Sequence, residues 1–444
     1  MPTVSVPARP VPDEARAHAE DLGAFVTASP SSFHAAAEIA RRAEAAGFVR
    51  LDEAGAWDVV PGGRYVVVRD GSAVAFVVPA SAGATTPFTV VGAHTDSPGF
   101  KLKPHPTTGA AGFAQAGVEV YGGPLLNSWL DRELELAGRV VTADGVEHLV
   151  RTGPFLRIPQ LAIHLDRSVN DGLALDKQRH TQPVWGLAAG LGDGADLLAA
   201  LAATADDGAG VDRDQVLGYD VVVADTQAPR AFGADRALWA SGRLDNLLST
   251  HAATTALLAL AADGAPEAGP VAMVAAFDHE EIGSESRSGA AGPFLEDVLL
   301  RVSAALGASA EERARAFAAS FHVSSDVGHG VHPNFPERHD PAVRPLVGGG
   351  PILKINANQR YSTDAHGAAR WQAACAAAGV PSQEFVSNNS IPCGSTIGPI
   401  TATRLGIRTV DVGVPILSMH SAREMTAVVD PWYLSRAMAQ VLRG

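Results

Sequence analysis

The chain contains almost no cysteine. Cys375 and Cys393 are the only two among 444 residues, which is too few for a disulfide framework or for a zinc site built on thiolates. This usage fits a reducing compartment. The first twenty residues lack a basic start followed by an apolar core, so we expect no signal peptide and a cytoplasmic protein.

Positive charge and long apolar runs are also scarce. The 34 lysines and arginines are outnumbered by 48 acidic residues, which gives a net charge of −14. We therefore expect no binding to nucleic acid or to anionic membranes. Apolar runs such as TALLALAADG, residues 255–264, end at Asp or Gly well before they reach the length of a membrane span.

Two widespread catalytic motifs are absent. The zinc-binding helix motif HExxH fails because Gly283 stands where the second histidine would follow His279 and Glu280. The nucleophile motif GxSxG does not occur either. We therefore expect neither a zincin-type helix nor a serine-hydrolase elbow.

The length of the chain predicts two structural domains, because 444 residues exceed what one hydrophobic core usually supports. In residues 1–97 and 238–444, apolar strands alternate with helical patterns. This alternation indicates an α/β fold with a mainly parallel sheet flanked by helices. In residues 98–237 it gives way to segments of alternating polarity, which predict an inserted, mostly β domain.

Local signals place individual elements. Ser31 or Ser32 precedes a helical pattern that runs to Gly47, in the position of an N-cap. Asp-Gly pairs at 70–71 and 144–145 lie between β-rich runs. Such pairs are a strong signal for a hairpin turn, so we predict a hairpin at each.

Polar residues follow the ends of several predicted strands, where open α/β sheets bind ligands. Taken alone, each has a structural explanation: Asp245 is placed as an N-cap would be, and Glu280 and Glu281 are consistent with a solvated turn. Together, histidines and carboxylates without cysteine suit zinc, manganese or cobalt, and the number of carboxylates indicates two ions. The set is His94, Asp96, Asp245, Glu280, Glu281, Asp326, His329, His332, His420 and Glu424.

Nine segments in the same order along residues 92–425 resemble the aspartyl aminopeptidase family of metallo-aminopeptidases. They are HTDSPGFKLKP, YGGPLLNSWLDRELELAGRV, LRIPQLAIHLDR, SGRLDNL, DHEEIGSES, SDVGHGVHPN, GPILKINANQRY, PCGSTIGPI and SMHSAREM. The resemblance implies a two-zinc exopeptidase acting on peptides with a free N-terminus. It implies a catalytic domain of the zinc-exopeptidase type, formed by residues 1–97 and 238–444. It further implies a dimerisation domain at residues 98–237 and self-association to dimers and a tetrahedral dodecamer.

The resemblance also implies roles for the polar set. His94 and Asp326 bind one zinc ion, and Glu281 and His420 bind the second. Asp245 bridges both ions. In addition, Glu280 is implied as the general base, and Asp96 orients the His94 imidazole from outside the ligand set.

Substrate recognition is implied for His329, Lys354 and Tyr361. Lys354 lies in the apolar strand PILKIN, where a buried ammonium needs an anion such as a substrate Asp or Glu side chain. The alternative is a strand-edge lysine that faces solvent. His164 is implied to reach a neighbouring subunit's active site and stabilise the developing oxyanion. The alternatives for His164 are a third metal ligand or a plain strand histidine.

The function predicted from these residues is a zinc aminopeptidase that prefers N-terminal Asp or Glu. A broader aminopeptidase, or another metallohydrolase on the same scaffold, is the alternative within the class. An inactive oligomeric binding protein is the alternative outside it. The sequence argues against inactivity, because every expected ligand position and the general-base position are filled.

Overall fold

The computed structural model describes residues 11–192 and 195–444. The first part of the chain forms two helices and four strands. These are α1 (Asp13–Ala28), α2 (Ser32–Ala45), β1 (Val49–Arg50), β2 (Arg64–Arg69), β3 (Ser72–Val77) and β4 (Phe88–His94).

The middle of the chain is mostly β. Its elements are β5 (Gly99–Ala110), β6 (Phe113–Tyr121), β7 (Leu134–Thr142), β8 (Glu147–Arg151), β9 (Val184–Leu187), α3 (Ala188–Leu191), α4 (Leu197–Ala202), α5 (Ala205–Gly208) and β10 (Val216–Asp225).

The last part returns to alternating strands and helices. It contains β11 (Arg230–Phe232), β12 (Leu238–Ser241), α6 (Leu244–Ala262), β13 (Val271–Phe277), α7 (Phe294–Ala305), α8 (Ala310–Ala319), β14 (Phe321–Ser325), β15 (Gly328–His329), β16 (Ile352–Ile355), α9 (Ala365–Ala378), β17 (Gln383–Val386), α10 (Ile397–Leu405), β18 (Arg408–Gly413), β19 (Pro415–Ile416), β20 (Glu424–Ala427) and α11 (Val429–Arg443).

The first and last parts together build one nine-stranded sheet in the order β1-β2-β3-β13-β4-β14-β18-β16-β17. The four central strands, β13, β4, β14 and β18, all run parallel. Antiparallel pairing occurs towards the sides, between β3 and its two neighbours and between β16 and β18. The predicted α/β fold with a mainly parallel sheet is therefore confirmed.

Both faces of the central strands are buried, which explains their unbroken apolar sequence. In β13, Val274 and Ala276 belong to the core on the side of α1, α2, α6 and α11. The alternate residues Met273, Ala275 and Phe277 pack on the other face, with α7 and Ile397 of α10. Successive side chains of a strand point to opposite faces, so this strand contributes to two cores.

The structure contains the helix cap and the two hairpin turns that the local sequence signals predict. The Ser31 side chain accepts a hydrogen bond from the His34 N–H and caps α2. Asp70 has φ +54° in the turn between β2 and β3, which pair in register from Arg64–Val77 to Arg69–Ser72. The turn at Asp144-Gly145 joins β7 to β8, which are likewise antiparallel.

The middle of the chain forms a six-stranded sheet in the order β8-β7-β10-β5-β6-β9, with every neighbouring pair antiparallel. It has its own core, in which Phe100 meets Trp129 edge to face at 5.4 Å. The segment around His164 contains no strand. His164 lies in an exposed turn closed by a hydrogen bond from the Leu165 N–H to the Ala162 carbonyl, so the strand interpretation of His164 is wrong.

A third, three-stranded sheet pairs β11, β12 and β20. β20 follows the segment that carries His420, so this small sheet anchors one side of the predicted site. Within the two described ranges, no helix combines the length and the apolar content needed to cross a membrane.

Replacing Val274 by Ala should destabilise the fold by about 2 kcal/mol, because two buried methyl groups are lost and a cavity remains. Val274 is 1% exposed in the centre of the sheet, whereas Val49 on the edge strand β1 is 56% exposed. Val49→Ala is therefore the matched control, with an expected change below about 0.5 kcal/mol. The urea-unfolding midpoints of the two variants measure this difference. Equal midpoints would contradict the burial of Val274 in the core beside α6.

Candidate active site

The carboxyl ends of three neighbouring parallel strands carry much of the polar set. His94 is the last residue of β4, the pair Glu280–Glu281 follows β13, and Asp326 follows β14. Because the three strands are adjacent and parallel, their ends meet at one edge of the sheet. Open α/β sheets bind ligands at this edge.

Asp245 comes to the same edge from the start of α6. The N-cap position of α6 is Arg243, and Asp245 lies two residues further on with a non-helical backbone (φ −82°, ψ 100°), so the N-cap interpretation is wrong. The peptide bond from Asp245 to Asn246 is cis. The Ser97 hydroxyl donates to the Asp245 carbonyl at 2.6 Å, and the Asn246 amide donates to the Ser325 carbonyl at 2.9 Å. These bonds hold the first turn against the ends of β4 and β14.

Two overlapping clusters share Asp245. In the first, His94 Nε2 lies 3.2 Å from Asp245 Oδ1 and 3.7 Å from Asp326 Oδ1. In the second, His420 Nε2 lies 3.4 Å from Asp245 Oδ2 and 3.5 Å from Glu281 Oε2. Each oxygen of Asp245 thus faces a different histidine, which is the arrangement that a bridging carboxylate requires.

The electrostatics of the clusters favour a cation. Although burial opposes a charge on His94, the carboxylates of Asp245 and Asp326 raise its pKa well above the ordinary value. Burial and the charge of Asp245 likewise raise the pKa of Glu281. Both shifts reflect an excess of negative charge in a site with little solvent.

The donor set also fits metal ions. Glu281 Oε1 is buried and accepts no hydrogen bond from any described residue, and Asp245 Oδ1 has only its 3.2 Å contact with His94 Nε2. Unpaired buried carboxylate oxygens are costly unless a cation binds them. Two histidines and three carboxylates in two groups, with each group's atoms within 4.8 Å of one another, are suitable ligands for zinc. His94, Asp326, Asp245, Glu281 and His420 would therefore hold the metal.

Glu280 lies beside the clusters and forms a third close group with His94 and Glu281. Burial raises its pKa to about 7, against the opposing effect of His94 and with a further contribution from Asp326. A carboxylate with a pKa near neutrality can both accept and release a proton. His279 instead bonds through Nδ1 to the Ser286 hydroxyl at 2.8 Å.

Asp96 supports the segments that carry these residues. Its carbonyl lies 3.0 Å, and its carboxylate 3.4 Å, from His94 Nδ1, which leaves Nε2 facing the cluster. The same carboxylate accepts the backbone N–H groups of Glu280 and Glu281 at 3.0 and 3.2 Å. It also accepts the Tyr121 hydroxyl at 2.8 Å. One carboxylate therefore connects the ends of β4 and β13.

Glu424 supports the residues of the second cluster as Asp96 supports those of the first, although the sequence alone assigned it no role. It is 2% exposed. Its Oε2 accepts the Asp245 N–H at 2.9 Å, and its Oε1 accepts the His420 N–H at 2.8 Å. In the sequence it belongs to the polar set at the strand ends, four residues after His420 in MHSAREM. Tyr121 was missed, because it lies in a β-rich segment remote from the polar strand ends.

Lys354 is buried next to the first cluster. Its side chain is 2% exposed, and Nζ donates to the Val327 carbonyl at 2.9 Å and lies 3.7 Å from Asp326 Oδ2. The solvent-facing interpretation is therefore wrong. The Tyr361 ring lies 5.4 Å from the ammonium. His329 and Tyr361 both contact Phe385 edge to face, each at 6.2 Å, so the three predicted substrate residues form one group.

His164 is not brought into this site within one chain. None of the three histidine–carboxylate groups found among residues 11–192 and 195–444 includes it. The interpretation of His164 as a third metal ligand therefore has no support in the subunit.

A cavity of about 210 Å³ lies between the metal clusters and the six-stranded sheet. Asp96, Asp245 and Glu424 line it from one side, and Tyr121 and Trp129 line it from the other. Lys354, His329 and Tyr361 do not contribute to its lining. The cavity thus lies behind the clusters, away from the predicted substrate residues.

A helix-flanked α/β sheet with paired histidine–carboxylate clusters at its carboxyl edge places the chain among metal-binding α/β proteins. The family described as aminopeptidase I zinc metalloprotease (M18) matches residues 25–439. The probable M18 family aminopeptidase 2 of Streptomyces avermitilis is 56% identical over 431 residues, which cover 97% of this chain and 98% of that protein.

Solved structures agree. Ape4 in its complex with Nbr1 superposes with a TM-score of 0.93 and 35% identity, covering 98% of this chain and 88% of that one. The S. cerevisiae mApe1 dodecamer gives a TM-score of 0.83 and 27% identity, covering 96% of each chain. The chain belongs to the M18 family and is a zinc aminopeptidase, which confirms the resemblance to metallo-aminopeptidases noted in the sequence.

Replacing Glu424 by Gln should weaken zinc binding by about 10- to 100-fold, the usual cost of losing support for a ligand. Two N–H donors point at the two oxygens of Glu424, whereas glutamine offers one oxygen and one NH₂ group. One backbone donor would then face another donor. Zinc retained per subunit during titration with a chelator measures the effect. Glu312→Gln, in the exposed cap of α8, is the matched control, and equal retention in both variants would contradict the role of Glu424.

Proposed function

We propose that this zinc aminopeptidase uses two ions per subunit and removes N-terminal Asp or Glu from peptides. The observation that carries the specificity is the buried ammonium of Lys354, 3.7 Å from the metal-cluster residue Asp326. The proposal of two ions rests on Asp245, whose two carboxylate oxygens face different histidines, His94 and His420.

In this proposal, His94 and Asp326 would hold one ion, Glu281 and His420 would hold the other, and Asp245 would be shared between them. Zinc held there would supply polarisation of the scissile carbonyl and a lower pKa, towards ~7, for a water. Manganese or cobalt can substitute, because histidine and carboxylate ligands suit all three ions.

Glu280 is the proposed general base. Its carboxylate lies beside the clusters, close to His94 and Glu281, where it would take the proton of the attacking water and pass it to the leaving amine. General acid–base catalysis of this kind contributes ~10²- to 10⁴-fold to the rate. Asp96 acts on Glu280 only through the backbone N–H that it accepts, so we assign it the positioning of Glu280 and of His94.

The charge around Lys354 supports an acidic substrate. The Val327 carbonyl satisfies one of the three N–H donors of its ammonium. The nearby carboxylate of Asp326 would share its negative charge with a zinc ion, which leaves the lysine only partly compensated. A substrate Asp or Glu side chain supplies the missing anion. The Tyr361 ring lies 5.4 Å from the ammonium, and His329 and Tyr361 both contact Phe385, so these two residues would complete the proposed pocket.

We further propose that the enzyme self-associates to dimers through residues 98–237 and then to a tetrahedral dodecamer in the cytoplasm. The solved mApe1 relative is a dodecamer. In this chain, Leu161, Ile163 and Leu165 are each more than half exposed around His164, and exposed apolar residues of this kind favour an interface. In the assembly, His164 would reach a neighbouring active site and stabilise the developing oxyanion.

Lys354→Met should lower kcat/KM for peptides with N-terminal Asp or Glu by about 100-fold, because a charge-assisted hydrogen bond is lost. The kcat/KM for peptides with N-terminal Leu or Ala should change little. A matched series of Asp, Glu, Ala, Leu and Lys peptides measures the change in preference. Lys103→Met, on the exposed part of the inserted sheet, is the control. If kcat/KM falls equally for all five peptides, Lys354 does not bind the acidic side chain. If the unaltered enzyme turns over Leu and Asp peptides equally, the proposed preference for acidic residues is wrong.

Glu280→Gln should reduce kcat by at least ~10²-fold, since the amide cannot accept the proton of the attacking water. Two zinc ions per subunit should remain bound, because the proposed ligands are untouched. Steady-state rates together with metal analysis test both statements. Activity close to that of the unaltered enzyme would exclude Glu280 as the base, and one ion per subunit in both proteins would exclude the two-ion site.

A further inference from the structure

The turn after β6 reaches from the inserted sheet to the metal clusters. It consists of Tyr121, the last residue of β6, and of Gly122 and Gly123, which follow the strand, and it is named here the Tyr-Gly-Gly turn. It is separated from the nearest proposed ligand, His94, by more than twenty residues of chain, and β6 itself belongs to the six-stranded sheet. Each of its three residues contacts a different part of the site.

Tyr121 acts on the first cluster. Its hydroxyl donates to Asp96 Oδ2 at 2.8 Å, and Asp96 in turn contacts His94 Nδ1. Burial and the charge of Asp96 raise the pKa of Tyr121, so the phenol keeps its proton and remains a donor. The bond restricts the rotation of the Asp96 carboxylate, which lies 3.4 Å from His94 Nδ1 and accepts the backbone N–H groups of Glu280 and Glu281.

Gly122 acts on the second cluster. Its φ of +66° is unfavourable for a residue with a side chain. A Cβ at this position would also lie 3.2 Å from the Cβ and 3.3 Å from the carbonyl oxygen of Glu281. Glycine therefore allows the turn to pass directly against the backbone of a metal-cluster residue.

Gly123 contacts the remaining histidine. Its carbonyl accepts a hydrogen bond from His420 Nδ1 at 3.0 Å. Two residues later, the Leu125 N–H donates to the His420 carbonyl at 2.9 Å. With Nδ1 as the donor, Nε2 is the nitrogen that faces Asp245 and Glu281. Bonds of this type set the tautomer and the orientation of a metal-binding histidine.

We propose that the Tyr-Gly-Gly turn is a positioning element through which the inserted domain sets the zinc affinity of its own subunit's active site. The inference rests on the proposed function for the identity of the ligands. It assigns the inserted domain a role within one chain, in addition to any role in assembly. Tyr121, Gly122 and Gly123 are positioning residues, since they act through Asp96, Glu281 and His420.

The experiment measures the zinc dissociation constant by competition with a chromogenic chelator, for the full chain and two pairs of variants. Tyr121→Phe removes the hydroxyl that binds Asp96. Its control is Tyr219→Phe, which removes a hydroxyl bonded at the same distance of 2.8 Å to the Lys103 carbonyl, inside the inserted domain. The melting temperature of each zinc-free protein is recorded as well.

The second pair separates backbone strain from contact with the site. Gly122→Ala introduces a side chain at φ +66° against Glu281. Its control is Gly145→Ala, at φ +84° in the turn between β7 and β8, where an added Cβ meets nothing within 4 Å. Both alanines carry the strain of a positive φ, and only the first one touches a metal-cluster residue.

We expect Tyr121→Phe and Gly122→Ala each to raise the zinc dissociation constant by about tenfold or more, the range typical for lost support of a ligand. Tyr219→Phe and Gly145→Ala should leave it within about twofold. If each variant matches its control, the inference is overturned. It is also overturned if, across the four variants, the rise in the zinc dissociation constant is fully accounted for by a lower melting temperature of the zinc-free protein. The role of the turn would then be structural.

Failure of the proposed function gives a different result. If His94→Ala and His420→Ala bind zinc as tightly as the unaltered enzyme, the ligand assignment itself is wrong. If these two variants lose zinc while Tyr121→Phe and Gly122→Ala do not, only the role of the turn is wrong.

Discussion

Negative charge buried at the carboxyl edge of the central sheet is the constraint on which this active site depends. Asp245, Glu281 and Asp326 meet there with two histidines, and the three carboxylates have little access to water. Carboxylates so placed repel one another and lose their hydration, so bound cations stabilise the arrangement. The metal requirement of the enzyme and the geometry of its site thus have the same electrostatic origin.

The ligand-bearing segments are held by two carboxylates outside the proposed ligand set. Asp96 accepts the N–H groups of Glu280 and Glu281, and Glu424 accepts those of Asp245 and His420. Each connects backbone from distant parts of the chain. In this way the protein fixes where the ligands lie before any ion binds, which reduces the ordering that metal binding would otherwise require.

The inserted domain is joined to the catalytic sheet by charge as well as by the Tyr-Gly-Gly turn. Arg139 on β7 binds Asp70 of the β2–β3 turn at 2.9 Å and Asp220 of its own sheet at 3.1 Å. Its guanidinium also lies 4.3 Å from the centre of the Phe33 ring. These residues line the same cavity as Asp96 and Asp245, so the inserted domain and the catalytic sheet meet beside the metal clusters.

Much of this architecture could be predicted from the sequence, because the relevant signals are local. The capping by Ser31, the turn at Asp70-Gly71 and the apolar strand β13 each depend on a few neighbouring residues. The polar residues at the strand ends identified a metal site, and the family resemblance supplied their roles. The partners of Tyr121 and Glu424 could not be predicted, since they lie 25 and 179 residues away in the chain.

The sequence by itself determined the alternation of strands and helices, the inserted β-rich segment and the chemical nature of the site, because periodicity and residue type carry that information. Only the tertiary structure decided that Lys354 is buried beside Asp326, that His164 lies in an exposed turn and that Asp245 faces two histidines. The physical reason is that burial and electrostatic environment depend on which strands become neighbours. In this sheet those neighbours come from opposite ends of the chain.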